Sequence, residues 1–205
     1  MIRTEELYID NSDEKTSDAI RLADEFTSSL NLDRKPAMHI RLLAEETVGM
    51  VRAMTGDFEA YFWLEKENDE YRVKLNVKTD MDLAKKKELL SLSTSGENTA
   101  VKGFMGKIRE IIENGLLDFD SALKLQNKYG GNNGYSYVGM GTIEDGSNSA
   151  PVLWSLNAYK EALEESGESK EEDWDELERS IVASLAKEVT VGIKNNLVDL
   201  TIIAR

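Results

Sequence analysis

Cysteine is absent from the 205-residue chain. That removes disulfides, thiolate zinc sites and cysteine nucleophiles together. Histidine occurs once, as His39, so paired-histidine relays and poly-histidine metal sites are excluded. No uninterrupted apolar run approaches the ~20 residues of a membrane span. The opening stretch, Met1 to Asp10, reads as charged and strand-like rather than as a secretory leader. There is no Gly-x-Ser-x-Gly elbow and no Walker-type phosphate loop. Positive charge is in deficit, with 25 Lys and Arg against 39 Asp and Glu and a formal net charge of −14. Such a surface repels nucleic-acid phosphates and anionic lipid, so neither nucleic acid nor a membrane is expected as a partner. A soluble cytoplasmic protein is the expectation. Hydrophobic residues make up 40% of the chain, enough for a packed core.

The apolar spacing sets out the elements. Leu7, Tyr8 and Ile9 suggest a short opening strand. Asn11 or Ser12 suits a helix cap, with Asp13 and Glu14 in the first turn. Ile20, Ala23, Phe26 or Thr27, and Leu30 then recur at helical spacing. Pro36 suits the start of a second helix. Its inner face is Ile40, Leu43, Ala44, Val48, Val51 and Met54, and Gly56-Asp57 ends it. Phe58, Ala60, Phe62 and Leu64, then Tyr71, Val73, Leu75 and Val77, alternate as two strands around Asn68-Asp69, an antiparallel hairpin. Leu83 to Leu92 suits a helix, and Ser93 to Gly96 a loop. Val101, Phe104, Met105, Ile108, Ile111 and Ile112 mark a strongly amphipathic helix. Tyr129 to Gly146 is rich in glycine and reads as a long loop or hairpin. Residues 155–186 read as two helices around a break near Gly167. Val189, Val191 and Ile193, then Val198, Leu200 and Ile202, form a closing hairpin around Asn195-Asn196.

Charge is unevenly spread. Lys78 to Arg109 holds seven basic and four acidic residues. Glu144 to Glu178 holds twelve acidic and two basic ones. A local positive stretch in an acidic protein suits an anionic ligand, although both runs also fit solvated helix faces.

The order strand, helix, helix, strand, strand, loop, helix, closing hairpin resembles the Bergerat ATP-binding fold of the GHKL group. The nearest likeness is to the anti-sigma-factor serine kinases. The resemblance covers roughly residues 1–116 and 187–205. It implies one α+β domain over 1–205, a two-layer sandwich of a mixed, largely antiparallel sheet with helices on one face. A mainly helical insertion occupies 117–186. Leu42-Leu43-Ala44-Glu45-Glu46 followed by Thr47-Val48-Gly49-Met50-Val51 resembles the family's N-box helix. There a Glu orients the reacting group, and an Asn four residues later holds Mg²⁺ from the same helix face. Glu46 takes the Glu position. The Asn position falls on Met50, whose thioether is a poor ligand for hard Mg²⁺.

The family's Asp-x-Gly-x-Gly, which receives adenine, falls on Thr79, or on Asp80 after a one-residue slip. Neither glycine is present. Lys102-Gly103-Phe104-Met105-Gly106-Lys107 resembles the glycine-led phosphate loop, with one extra residue between the glycines. Backbone N–H groups at a helix start can hold phosphate. Thr94, Ser95 and Lys102 add donors, as does Ser93.

Other clusters are weaker. Glu45 and Glu46 point about 100° apart on a helix and do not converge on one atom. His39 fits a structural or exposed position better than a catalytic one. Asp80-x-Asp82 with Glu88 lacks the spacing of a calcium loop. Gly139-x-Gly141 lacks the full dinucleotide pattern. Trp154 and Trp174 read as core or interface anchors.

The resemblance thus implies a degenerate nucleotide-binding regulatory protein. ATP lies against Gly103 to Lys107, and Glu46 orients a partner hydroxyl. An enzyme of this kind is a serine kinase or ATPase, and Met50 weighs against that and against Mg²⁺. The alternative is an interaction module that has lost ATP binding and offers its acidic insertion to a protein partner.

Overall fold

Strict alternation makes the central hairpin. In β3 (Glu59–Glu67) Ala60, Phe62 and Leu64, and in β4 (Glu70–Lys78) Val73, Leu75 and Val77, are apolar and buried at every second position. Asn68 turns the chain with φ of 53°, a left-handed conformation that asparagine tolerates. The computed structural model describes residues 1–10, 13–54, 58–78, 103–117, 152–166, 171–194 and 197–205. The closing hairpin, β6 (Ala186–Lys194) and β7 (Leu197–Ala204), lies beside the first, with β7 against β4. Register then aligns apolar side chains in rows across four strands. One row is Phe62, Leu75, Leu200 and Val191. The next is Leu64, Val73, Ile202 and Val189.

The sheet is completed at its edges by β1 (Ile2–Arg3) and β2 (Leu7–Ile9), both on β3, and by β5 (Val152–Ser155) on β6. Between β1 and β2, Thr4 donates its N–H to the Leu64 carbonyl at 3.0 Å, and Leu64 N–H donates to Thr4 Oγ1 at 3.0 Å. A side chain thus carries the pairing across the break. Every pair among the described strands is antiparallel. The parallel component of the expected mixed sheet has no counterpart there.

Helices cover the apolar face. Helix α1 (Asp13–Ser29) ends in a Schellman motif: Leu32 N–H reaches the Thr27 carbonyl, and Asn31, with φ of 51°, reaches Ser28. Its fully buried face runs through Ala19, Ala23 and Phe26, one position off the expected Ile20. Helix α2 (Arg34–Arg52) starts after Asp33, with Pro36 in the first turn where a missing N–H does no harm. All six expected inner-face residues are buried, and Thr47 and Met50 join them. The helix ends ahead of Gly56-Asp57, which lie outside the described residues. Helix α3 (Phe104–Leu117) buries Phe104, Ile108, Ile111 and Ile112 over β6 and β7. Gly115 lets it approach closely, because a Cβ there would lie 2.0 Å from Ile193 Cδ1. Val101, the expected first member of that stripe, is outside the described residues, as is the helix expected over Leu83 to Leu92.

The segment read as an insertion contributes α4 (Leu156–Ser166), α5 (Glu171–Arg179) and the short α6 (Ile181–Leu185). It also contributes β5, which was not expected. Trp154 of β5 pairs with Val191 and stacks between Phe104 of α3 and Tyr159 of α4. The outer face of the sheet is polar. There Trp63 Nε1 donates to Glu65 Oε1 at 2.6 Å, and Asn76 Nδ2 to Asp199 Oδ1 at 2.5 Å. No described helix is long and apolar enough to cross a membrane.

Candidate functional site

The last two turns of α2 set out the site. Thr47 is fully buried and donates its hydroxyl to the Leu43 carbonyl at 2.7 Å, which fixes one flank of the helix. Glu46 and Met50 share the adjoining flank, one turn apart. This flank faces a hollow of about 410 Å³ that also reaches Thr16 of α1 and Met105, Gly106 and Arg109 of α3. Gly49 lines it too, and a Cβ there would meet open space. Arg109 closes one end by donating Nη1 to the Ala53 carbonyl at 3.1 Å. That places a cation where the dipole of α2 is negative.

A second hollow of about 480 Å³ adjoins the first, for Glu46 and Met105 line both. Its other walls are Gly103 and Phe104 at the start of α3, Glu172, Glu176 and Arg179 of α5, and Ser180 and Ile181. Ser180 accepts the Ala183 N–H at 3.2 Å and so caps α6. Gly103 has φ of 86°, which favours glycine, and its carbonyl accepts the first helical bond of α3 from Lys107 N–H at 3.2 Å. The N–H groups of Phe104, Met105 and Gly106 therefore precede the intrahelical ladder.

Glu46 and Lys107 are both electrostatically displaced. Burial, with the neighbouring Glu45 charge, holds the Glu46 carboxyl above the usual carboxylate range. Burial would lower Lys107, but its hydrogen bonds to Asp173, Glu176 and Tyr159 prevail and hold it well above an ordinary lysine.

Of the residues singled out in the sequence, Glu46, Met50, Gly103 and Gly106 are brought together around the paired hollows. Met50 is only 5% exposed and belongs to the core as well as to the wall. Lys107 is placed otherwise than expected. Instead of facing an open phosphate seat, its Nζ lies 2.6 Å from Asp173, 2.5 Å from Glu176 and 3.0 Å from the Tyr159 hydroxyl. Thr79, Asp80, Thr94, Ser95 and Lys102 lie outside the described residues, as do Ser93, Asp82 and Glu88. His39 lines neither hollow. Among the described residues no group of three His, Cys, Asp or Glu is placed to hold a metal ion.

Sequence reasoning missed Thr16, Arg109 and the α5 carboxylates. Arg109 carried the one usable signal, a cation set between Ile108 and Ile111 in an apolar stripe. No protein-family model, curated protein or solved structure matches the chain.

Proposed function

We propose that this chain is a nucleotide-binding regulatory protein on a Bergerat-like scaffold, acting in the cytoplasm through a protein partner. One observation carries the reading. The Glu46–Met50 flank of α2 and the Gly103–Gly106 start of α3 face one another across the adjoining hollows. A helix start presents N–H groups and a positive dipole end to an anion. The phosphates of ATP would lie there, with the base and sugar toward α2. Met50 stands where the resemblance puts a metal-binding Asn, so phosphoryl transfer is reduced and binding is the retained property. If transfer survives, Glu46 is the group that orients the accepting hydroxyl.

A thermal-shift and calorimetric titration with ATP, ADP and GTP, with and without Mg²⁺, tests this. A ligand that binds only the native state must raise its stability. We expect a shift with the adenine nucleotides and its loss in Gly106→Glu, whose carboxylate fills the phosphate position. No shift with any of the three would overturn the reading. Met50→Asn should add Mg²⁺ dependence to the binding.

The engagement of Lys107 by α5 favours a second reading. In it the scaffold is an interaction module with no nucleotide, and the acidic helices bind a protein partner. The same titration separates the two.

A further inference from the structure

We propose that the outer edge of the sheet, Ile2 to Tyr8, is a self-association surface on which a second copy of this chain pairs antiparallel, edge to edge. The inference stands apart from the nucleotide reading. β1 and β2 both pair with β3, and no described strand lies beyond them. Thr4 donates its N–H to the Leu64 carbonyl, so its backbone groups face β3. Alternation along an antiparallel strand then turns those of Arg3 outward. Phe62 stands two residues from Leu64 and opposite Leu7, so Leu7 faces β3, and Glu6 and Tyr8 face outward. These outward donors and acceptors form a template for a further strand. Edges are ordinarily blunted by lysine or proline, and Met1 to Asp10 contains neither. Apolar side chains stand there instead. Met1, Ile2 and Tyr8, at 80%, 50% and 41% exposure, are three of the five large apolar side chains that stand exposed among the described residues.

The edge is complementary to itself in one register. A two-fold axis between Thr4 and Glu5 sets Ile2 against the partner's Leu7, Arg3 against the partner's Glu6, and Met1 against the partner's Tyr8. Backbone direction agrees, since Arg3 and Glu6 both face outward while Ile2 and Leu7 both face β3. Side-chain direction agrees as well. Ile2 lies opposite Lys66 and Leu7 opposite Phe62, on the face that the helices cover. Arg3 lies opposite Glu65 and Tyr8 opposite Tyr61, on the polar face. Arg3 Nη2 meets Glu6 Oε1 of its own chain at 2.6 Å, and the guanidinium lies 4.5 Å from the Trp63 ring centre. Two such ion pairs brought together head to tail alternate four charges in sign. Thr4 and Glu5, where β1 gives way to β2, meet across the axis, so the irregularity in one strand is matched by that in its copy. A slip of one residue opposes Ile2 to Glu6 or to Tyr8 and turns side chains to the wrong faces. A slip of two opposes Glu5 to Glu6, or Ile2 to Glu5. An isologous contact of this kind closes as a dimer. The paired stretch is short, so the dimer is weak and reversible.

Sedimentation velocity on the full chain, up to millimolar protein, tests the pairing. The natural chain should show a concentration-dependent equilibrium of monomer and dimer. Arg3→Glu sets a glutamate against the partner's Glu6, and Glu6→Arg sets an arginine against the partner's Arg3, each at two symmetry-related places. Either variant alone should dimerise about tenfold more weakly or worse. Mixed in equal amounts, the two should dimerise as the natural chain does, because each then meets the opposite charge. Arg3→Glu/Glu6→Arg in one chain should restore the dimer in the same way. Melting curves of each variant separate loss of pairing from loss of fold. Ile2→Lys, which places a lysine on the edge and leaves the ion pair alone, is the second route and should weaken the dimer likewise. A natural chain that stays monomeric throughout would overturn the proposal and leave the edge to an extended segment of another protein. A dimer that none of these variants weakens, or single variants whose mixture stays monomeric, would overturn it too.

Discussion

On the inner face of the sheet Phe62 has Leu75, Leu200 and Val191 in line with it, all essentially buried. At the corner where α2, α3 and α5 meet, Glu46 shares its surroundings with Glu45, Glu172 and Glu176 and with Arg52, Arg109 and Arg179. The first region is satisfied only by close packing, and no solute could improve it. The second is held by opposed charges around open space, and an added charge can rearrange it. Apolar rows are thus the scaffold, and the charged corner is where binding can be coupled to movement. The difference predicts that substitutions in the two regions fail in different ways.

The largest effect belongs to the sheet. Phe62→Ala should destabilise the whole fold by about 3–5 kcal/mol, because the ring is fully buried between Leu7 of β2 and Leu75 of β4. Denaturant unfolding should show a lower midpoint as one cooperative transition. A small, local effect would mean that the rows are not the core. Next comes the seam between the regions. Gly115→Ala forces a methyl against Ile193 and should cost about 1–3 kcal/mol. Ile193→Val removes the Cδ1 atom at 2.0 Å. The double variant should therefore be less destabilised than the two single losses added together, a coupling expected of residues in contact. At the corner the effects shrink. Ser180→Ala removes the cap of α6 and should cost about 1 kcal/mol. Hydrogen exchange should place that loss at residues 181–185. Loss spread evenly over the sheet would erase the distinction drawn above.

The legibility of the two regions follows the same physics. Period-two alternation in β3, β4, β6 and β7 is a local signal, and it located both hairpins. The helical period of α2 gave six buried positions from Ile40 to Met54. Met50 falls at the Asn position of the resemblance, and nothing in its spacing reveals that it is also core. β5 was missed because its four residues carry no full alternation, and only pairing with Val191 makes them a strand. In α1 the expected Ala23, Phe26 and Thr27 are buried, and only Ile20 gives way to its small neighbour Ala19. The corner was hardest to read. Lys107 is separated from Asp173 by 66 positions, and no local pattern links a lysine to carboxylates at that distance. The sequence distinguished a cationic stretch from an acidic one. Only the fold shows that they meet.

The smallest effect is the most selective for the corner. The Glu46 carboxyl is held above its ordinary value of 4.5 by burial and by Glu45. The folded state therefore binds the proton more tightly than the unfolded chain. Stability falls as pH rises from about 4.5 through the raised folded value, and the full penalty is present above it. Glu46→Gln removes that penalty and keeps the shape of the wall. At neutral pH the variant should equal or exceed the natural chain in stability, by no more than about 0.5 kcal/mol for so open a site. Below the carboxylate range the two should coincide. Melting curves for both proteins from acidic to neutral pH measure this directly. A Glu46→Gln variant that is less stable at neutral pH would show that the carboxylate has a favourable partner. The contrast between a sheet held by packing and a corner held by charge would then have to be redrawn at the residue where the two hollows join.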